Sequence, residues 1–516
     1  MSLPTRTLCL IALLVTACGG GGRGTAGNQP SGPAVLRSID FTPANVSLRV
    51  GTMLELKATG HYSDGTSHTM SPETWNSSQK TVASVDELGV VSGFTAGTVT
   101  ITGTRDNISG TIKVTVLPGN ASVEYLYSFG GFDNPSDAGQ PNGPLLQASD
   151  GNFYGTTRGG GTNTCSIYAC GAIFKITPTG SETVLHSFGA SASDGHFPTS
   201  SLMQAADGTL YGTTARGGDY DSGTVFKITP DGTYSVLYSF GGTPADGTVP
   251  IGALIQGSDG NLYGTTSTGG TNFCPQPPVA ANNCGTFFKL TPGGVETVLY
   301  SFGATATDGF EPGAALLQAS DGNFYGTTSV GGTYNGGTVF KLTPSGTETV
   351  LYSFGAAPVL GSAPQGVAPQ GPLIEDQSGN FLGTTVAGGK LGCDTGCGTV
   401  FRITPDGSLS TLYSFAGAST GDGYGPAPFL IQGNDGNFYG TTISGGAFGG
   451  DLVGTAFRLT PEGTETVLYS FGPLNQNPSD PGAGLIQAND GAFYGAAFYS
   501  YFDEGAGTVF KLVTTP

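Results

Sequence analysis

Five aspartates recur at one position of a repeated motif, DGxxP or close to it. They are Asp137, Asp194, Asp246, Asp308 and Asp422, with Asp480 in a partial copy and a Pro- and Gln-containing sequence at 364–370 where the motif is lacking. A ring of carboxylates could gather Ca²⁺, which prefers several oxygen ligands, or hydroxyl-rich glycans. Alternatively, each Asp caps its own turn through a hydrogen bond to the backbone. The repetition favours the cap, and no other cofactor is evident.

The cysteines form a second set with possible chemistry. Cys9 and Cys18 lie in the N-terminal apolar segment, and the other six fall into three close pairs: Cys165 with Cys170, Cys274 with Cys284, and Cys393 with Cys397. In an exported chain this spacing predicts three short-loop disulfides, each worth about 2 to 3 kcal/mol by loop entropy. Cys393 and Cys397 also fit a metal site, although no second Cys or His cluster lies near them in sequence.

The first 18 residues have the pattern of an export signal, with Arg6 before an apolar run and small residues before Cys18. The sequence VTAC resembles the lipobox of bacterial lipoproteins, in which the Cys is acylated; the alternative is an ordinary signal peptide with a chance Cys. We predict a signal peptide at 1–17, a lipid anchor at Cys18 and a Gly-rich tether at 18–34. The resemblance implies a chain exported to the cell envelope, with the outer membrane or cell surface favoured because Gly19 is not Asp. No later stretch approaches the roughly 18 apolar residues of a membrane span, so the lipid is the predicted membrane contact.

Two further columns and the histidines bear on catalysis. A basic residue recurs as Lys175, Lys227, Lys289, Lys341, Arg402, Arg458 and Lys511, and an aromatic one as Tyr127, His186, Tyr238, Tyr300, Tyr352, Tyr413 and Tyr469. We interpret the basic column as ion pairs between repeats or snorkelling stems, and the aromatic column as packing between repeats. Catalysis needs a residue that breaks the repetition, and neither His186 nor His196 lies in a recognisable nucleophile, metal or paired-carboxylate motif.

Composition indicates the elements that must position these residues. With 89 Gly, 32 Pro and 11% charged residues in 516, the chain suits short strands and tight turns, so we predict an all-β protein. The net charge of −19 repels phosphate backbones, and nucleic acid is not an expected partner. No feature indicates an oligomeric state.

Residues 35–118 alternate apolar and polar side chains in short runs, the pattern of a small β-sandwich. The segment resembles the bacterial Ig-like group 2 family, through VSLRVGT, YSDGT and TWNSSQKTVASVDELGVVSGFTAGTVTITGT in the family's order. The resemblance places Trp75 in the core and implies a spacer or adhesion module.

From residue 123 to 516 one phrase returns, with ASDGNFYGTT at 148–157 and again at 319–328. Its Asp-Gly position recurs at Asp150, Asp207, Asp259, Asp321, Ser378, Asp435 and Asp490, about 57 residues apart. Asp-Gly between β-rich runs indicates a hairpin, and each repeat contains four such runs. A period of this length is typical of propeller blades. The seventh copy lacks its fourth strand while VEYLYSF at 123–129 precedes the first, so we predict a seven-bladed β-propeller closed by the N-terminal strand, with a linear solenoid as the alternative.

The repeats resemble the GloVer tandem-repeat family, through LIQGSDGNLYGTT, GTVFKITPDGT and VLYSF. That family consists of exported proteins with assorted surface anchors and implies no chemistry. In a propeller all the long loops would crowd one face, including the Cys-bearing insertions at 158–171, 268–285 and 386–398. The sequence therefore predicts a surface protein that recognises a glycan or a protein through this face, with a polysaccharide lyase or hydrolase, or a structural envelope component, as alternatives.

Overall fold

The computed structural model describes residues 33–44, 46–50, 52–94, 96–117, 119–130, 137–165, 168–274, 284–355, 365–390, 393, 396–417, 421–447, 453–472, 480–498 and 507–514. Every regular element in these ranges is a β-strand, which confirms the all-β prediction. None of the described segments is a helix long and apolar enough to cross a membrane.

The N-terminal unit consists of three small sheets around one core. The first sheet contains Leu36–Thr42, Lys57–Tyr62 and Ser67–Met70. The second contains Val46–Arg49, Ile108–Leu117, Gly97–Arg105 and Thr74–Ser77. The third contains Met53–Glu55, Val90–Gly93 and Ala83–Val85. Alternate residues of the long strands are buried, as in Ile112, Val114 and Val116. Trp75 packs half-buried against this core, its ring centroid 5.1 Å from that of Phe41.

The remaining described residues form seven antiparallel sheets of four or five strands, which we number in chain order, and three two-stranded pairs beside sheets 1, 3 and 4. Sheet 1 comprises Ala138–Pro141 with Leu146–Gln147, Phe153–Gly160, Ala172–Ile176 and Glu182–Ser187; sheet 2, Gly195–Pro198 with Met203–Gln204, Leu210–Gly217, Thr224–Ile228 and Tyr234–Ser239; sheet 3, Gly247–Thr248 with Ile255–Gln256, Leu262–Thr266 with Thr268–Gly269, Thr286–Leu290 and Glu296–Ser301. Sheet 4 comprises Gly309–Phe310 with Leu317–Gln318, Phe324–Thr328 with Val330–Gly331, Asn335–Leu342 and Glu348–Gly355; sheet 5, Val367–Pro369 with Ile374–Glu375, Phe381–Ala387, Thr399–Ile403 and Leu409–Ser414. Sheet 6 comprises Gly423–Gln432, Phe438–Gly445, Thr455–Leu459 and Glu465–Ser470; sheet 7, Leu485–Gln487, Phe493–Ala497, Thr508–Thr514 and Ala121–Ser128. A short hairpin, Thr164–Cys165 with Tyr168–Ala169, extends from sheet 1.

Sheet 7 takes its outer strand from the other end of the repeat region. Ala121–Ser128 pairs antiparallel with Thr508–Thr514, from Ala121 opposite Thr514 to Ser128 opposite Thr508. The pairing occupies the edge of the last strand of the chain, which would otherwise expose its backbone N–H and C=O groups.

The repeated phrase builds the contact between sheets. In the second strands of sheets 1, 4, 6 and 7, Phe and Tyr are adjacent and therefore point to opposite faces; sheets 2 and 3 have Leu-Tyr and sheet 5 has Phe-Leu at these positions. Tyr439 packs on Phe493 of the next sheet at 4.1 Å between ring centroids, and Tyr494 of sheet 7 stacks on Phe153 of sheet 1 at 4.3 Å. Gly155, which follows the Phe-Tyr pair in sheet 1, leaves room for the ring of Phe174, since a Cβ there would overlap it.

The Asp of each Asp-Gly turn organises the turn. Asp150 Oδ1 accepts the backbone N–H of Asn152, while Oδ2 accepts the Tyr154 hydroxyl at 2.8 Å and Lys175 Nζ at 3.1 Å. Burial pushes the pKa of Asp150 upward, but the hydrogen bonds from Asn152, Tyr154 and Lys175 outweigh it and lower the pKa to about 2.

This geometry corrects one of the two interpretations of the basic column, that of ion pairs between repeats. Lys175, Lys289, Lys341 and Lys511 pair with the turn aspartate of their own sheet rather than with a neighbouring sheet. The reason is register: Tyr154 lies opposite Lys175 on adjacent strands, which places the ammonium group above the turn that precedes Tyr154.

Repeat 5 has Ser378 where the other repeats have the turn aspartate. Asp376, two residues earlier in the chain, takes the role of the turn aspartate. Its Oδ1 accepts the backbone N–H groups of Ser378 and Asn380. Its Oδ2 lies 3.3 Å from Arg402 Nε, so the ion pair is retained as well.

Candidate functional site: the loop-rich face and the central cavity

The long connections lie at one end of the sheets. Because the strands are antiparallel, the loops after the second and fourth strands are at one end, and the tight Asp-Gly and Pro-x-Gly turns are at the other. We call the end that carries the loops after the second and fourth strands the loop face. All three cysteine pairs lie in its loops.

The three predicted disulfides are present and stabilise these loops. Cys165–Cys170, Cys274–Cys284 and Cys393–Cys397 have Cα–Cα distances of 5.1, 5.2 and 5.2 Å, within the usual range. Cys393 and Cys397 are thus bonded to each other. No group of three or more His, Cys, Asp or Glu side chains within the described ranges could hold a metal ion.

The five aspartates of the DGxxP motif are buried beneath this face. Their exposed fractions are 2 to 7%. In Asp308, Oδ2 accepts the backbone N–H of Ala304 at 3.1 Å and the hydroxyl of Tyr300 at 2.8 Å. The same two contacts recur at Asp137, Asp246 and Asp422, and in Asp194 the hydroxyl is replaced by His186 Nε2 at 3.1 Å. These are the contacts of turn caps, and the carboxylates do not point into solvent.

The aromatic column has two roles, of which the sequence indicated one. Tyr238 packs edge-on against Phe240 at 5.0 Å between centroids, and its hydroxyl donates to Asp246 at 3.0 Å. Burial raises the pKa of the Tyr238 hydroxyl above its usual value, and the negative charge of Asp246 adds to the effect.

Asp480 is not a copy of these aspartates. One residue before a proline has positive φ in all seven repeats, between 53 and 61°: Gln140, Phe197, Val249, Glu311, Ala368, Gly425 and Asp480. The motif aspartate always lies three residues earlier, for example Asp137 before Gln140. Asp480 therefore occupies the position before proline, and its carboxyl lies in different surroundings.

Those surroundings are a central cavity of about 420 Å³. It is lined by residues that follow the positive-φ position in the innermost strands, among them Asn142, Thr199, Gln370 and Phe429. These lining positions differ between repeats, although the flanking Pro and Leu recur. Asp480 is the one ionisable residue of the lining, and burial raises its pKa to about 6. The residues that line the cavity thus differ from repeat to repeat, whereas the residues of the repeated motifs largely do not.

Three exposed aromatic side chains form the most prominent feature of the loop face. Tyr220, Phe273 and Tyr334 are 56, 72 and 61% exposed and lie in the loops after the second strands of sheets 2, 3 and 4. We call them the aromatic arc. Exposed apolar side chains mark an interaction site where they form one patch, and these three lie in equivalent loops of three consecutive sheets.

The loops of the arc are attached to the buried aspartates. Each loop begins with two glycines of positive φ, as in Gly217 and Gly218. The N–H of Gly218 donates to the carbonyl of Asp194 at 2.9 Å, and Gly332 bonds Asp308 in the same way. A fixed turn below therefore supports each aromatic side chain above it.

A polar groove lies beside the arc. It has a volume of about 760 Å³ and is lined by Phe273, Arg216, Thr248 and Thr268 among others. At its edge, His196 Nε2 lies 3.6 Å from Asp221 Oδ1. Burial lowers the pKa of His196, against the opposing effect of Asp221.

The comparisons with known proteins identify both parts of the chain. The bacterial Ig-like domain (group 2) matches residues 35–116, and the Gloeobacter/Verrucomicrobia repeat matches residues 85–319 and 277–510. Ice-binding protein 1 of Shewanella frigidimarina is 47% identical over 72 residues, which are 14% of this chain and 8% of that protein. The chain therefore spans less than a tenth of that relative.

Similar solved structures include the GH93 α-L-arabinofuranosidase of Fusarium graminearum, with a TM-score of 0.40 and 9% identity over 77% of this chain and 98% of that one. The aldose sugar dehydrogenase of Streptomyces coelicolor gives 0.34 and 13% over 77 and 99%. Likenesses at this level carry no argument about activity. The family matches confirm the resemblances of residues 35–118 and of the repeats: the chain belongs to the Gloeobacter/Verrucomicrobia repeat family and carries a bacterial Ig-like group 2 domain before its repeats.

Proposed function

We propose that the chain is a lipid-anchored surface protein whose seven sheets close into a propeller and recognise a glycan through the loop face. Three contacts support closure: the outer strand of sheet 7 from Ala121–Ser128, the stacking of Tyr494 on Phe153, and the hydrogen bond from Asn489 N to Gln147 Oε1. The export pattern and Cys18 support the address.

The aromatic arc is the observation that carries glycan recognition. Sugar rings present apolar C–H faces and a rim of hydroxyls, so a complementary surface combines aromatic rings with hydrogen-bonding groups. Phe273 supplies an aromatic ring, and Arg216, Thr248 and Thr268 of the same groove supply hydrogen-bonding groups beside it. Three aromatic side chains on consecutive sheets suit an extended polymer better than a single small molecule.

The test is a binding screen of residues 34–516 against envelope and plant polysaccharides, with Ca²⁺ and again with EDTA. The variant Tyr220→Ala/Phe273→Ala/Tyr334→Ala should lose the binding. Val295→Ala is the matched control, because Val295 is 66% exposed but lies in a tight turn at the opposite end of sheet 3. If the triple variant binds as well as the wild type, the arc is not the site. If EDTA abolishes binding but the triple substitution does not, the result would instead favour the cation-assisted site predicted from the aspartate motif.

A polysaccharide-acting enzyme is the second candidate, and Asp480 favours it. A carboxyl group with a pKa of about 6 suits a general acid near neutral pH, and the cavity volume suits one or two sugar units. Asp480→Asn distinguishes the two functions. If the wild type releases reducing ends from the polysaccharide and Asp480→Asn binds it without releasing them, the protein is an enzyme. If the wild type releases no reducing ends and both proteins bind equally well, recognition is the function.

A further inference from the structure

Four glutamates at one position of the outer strand have no evident partner. Glu182, Glu296, Glu348 and Glu465 each present a buried Oε1 that accepts no hydrogen bond from the described residues. Each is affected electrostatically by the capping aspartate of the loop before its sheet: Asp137, Asp246, Asp308 and Asp422 respectively. In Asp137, Asp246 and Asp308 the Oδ1 atom is also buried without a partner in the described ranges, and in Asp422 it accepts the backbone N–H of Gly423 at 2.7 Å, which leaves it room for a second hydrogen bond. Two ionised carboxylates could not remain together in such a place without a large cost.

Repeat 2 shows what the position requires. Tyr234 replaces the glutamate there, and its hydroxyl donates to Asp194 Oδ1 at 2.7 Å. A phenol at neutral pH is a proton donor. In repeats 1, 3 and 4 the aspartate Oδ1 accepts no hydrogen bond from the part of the chain that the structure describes. In repeat 2 the equivalent oxygen accepts one from a hydroxyl group at the strand position that the glutamate occupies in the other repeats.

In the remaining two repeats, other residues stand at both the aspartate and the glutamate positions. In repeat 5 the aspartate is replaced by Gln365 and the glutamate by Leu409. In sheet 7 the glutamate position is Val123, and the residue three before Asp480 is Asn477, which lies outside the described residues. Across the seven repeats, a Glu or Tyr at one position thus accompanies an aspartate at the other, and an apolar residue accompanies an amide.

From this pattern we infer that each of the four glutamates is a neutral carboxylic acid that donates its proton to Oδ1 of the facing aspartate, so that each pair shares one proton and joins two adjacent sheets. The aspartate comes from the loop between the sheets, the glutamate from the later sheet. On the other oxygen, Tyr127, Tyr238, Tyr300 and Tyr413 of the earlier sheet donate. At Asp422, Lys390 favours the ionised aspartate, which is the form that accepts the proton in the proposed pair.

The electrostatics agree with the geometry. Burial, and secondarily the facing aspartate, raise the pKa to about 7 in Glu182 and Glu296 and to about 8 in Glu348 and Glu465. In the unfolded chain a glutamate titrates at about 4.3. The folded protein therefore holds protons that the unfolded chain has released, and stability should fall as the pH rises from about 5 to about 8 and then level off.

The test compares two quadruple variants of the full chain. Glu182→Gln/Glu296→Gln/Glu348→Gln/Glu465→Gln replaces the acids by amides, which donate a hydrogen bond at any pH. The control replaces four exposed glutamates, as Glu55→Gln/Glu87→Gln/Glu124→Gln/Glu462→Gln, and removes the same charge. We expect the Tm of the wild type and of the control to fall by several degrees between about pH 5 and pH 8, and the Tm of the first variant to stay nearly constant.

Infrared spectroscopy of the wild type provides a measurement that does not depend on a variant folding. Near pH 6 the spectrum should contain the band of neutral carboxylic acids, and Glu348→Gln alone should weaken it. The inference is overturned if that band is absent, or if the first variant and the control have the same pH profile. It is also overturned if Ca²⁺ raises the Tm of the wild type but not of the first variant, since an ion would then occupy the pairs.

Discussion

The backbone N–H of Asn489 donates to Oε1 of Gln147 at 2.9 Å and so joins the seventh repeat to the first, across 342 residues of sequence. The same contact links successive repeats, as from Ser149 to Gln204 and from Ser258 to Gln318. In repeat 5, Glu375 takes the place of the glutamine and accepts from Ser320. The contact between the ends of the repeat region is thus equivalent to the contacts inside it.

Gln147→Ala should therefore destabilise the protein as much as Gln204→Ala. Each substitution removes one hydrogen bond to a neighbouring repeat and one to the carbonyl of its own turn, at Gly151 or Gly208. We expect a loss of about 1 to 2 kcal/mol for each variant in urea unfolding. Gln79→Ala, an exposed position in the Ig-like domain, is the control. A negligible effect at Gln147 with a full effect at Gln204 would show that the repeats are not closed in solution.

Removal of residues 121–128 should expose the edge of Thr508–Thr514 and cause association or aggregation of the chain. A synthetic peptide of residues 119–130, supplied in excess, should occupy the edge and restore a single species. Size-exclusion chromatography with and without the peptide measures both effects. A monomeric, stable truncated chain would mean that this strand contributes little.

Asp321→Asn should lower stability at neutral pH but not in strong acid. Burial opposes ionisation of Asp321, but hydrogen bonds from Asn323, Tyr325 and Lys341 prevail and lower the pKa to about 2. A lowered pKa gives stability that is present above the unfolded value and is lost as the pH falls through the folded value. The difference in Tm between wild type and variant should thus shrink between about pH 4 and pH 2. A difference that is independent of pH would show that the hydrogen bonds, and not the charge, matter.

All six cysteines of residues 34–516 should resist alkylation until a reductant is added. Mass spectrometry should then show an increase corresponding to six modified thiols. Cys165→Ser/Cys170→Ser should cost about 2 kcal/mol of stability by loop entropy, with the repeat sheets intact. Alkylation of Cys393 and Cys397 without reductant would contradict the disulfide that the structure contains.

Local patterns in the sequence were sufficient to predict the strands and turns. Asp-Gly and the alternating NFYGTT specify a hairpin whatever surrounds it, and the short Cys spacings limit the possible partners. Contacts between repeats were harder to predict. The ion pairs of the basic column lie within one sheet because of a register that the sequence does not display. Gln147 and its equivalents recur as visibly as the tyrosines, but a glutamine column indicates no particular partner.

The candidate sites depended on features that repetition conceals. Asp480 precedes a proline and resembles the motif aspartates, and only its positive φ shows that it belongs to another position. Tyr220 and Tyr334 follow paired glycines at the same spacing, but Phe273 lies one residue further on, so an alignment by columns does not group the three. Their exposure, which makes them candidates for binding, is a property of the folded loops.

The most direct test of the proposed function is the dissociation constant of residues 34–516 for the polysaccharide selected in the screen, measured by isothermal titration calorimetry. The account predicts that Tyr220→Ala/Phe273→Ala/Tyr334→Ala weakens binding at least tenfold, about 1.4 kcal/mol, at unchanged Tm, while Val295→Ala has no effect. Equal affinities for the triple variant and the wild type would contradict it.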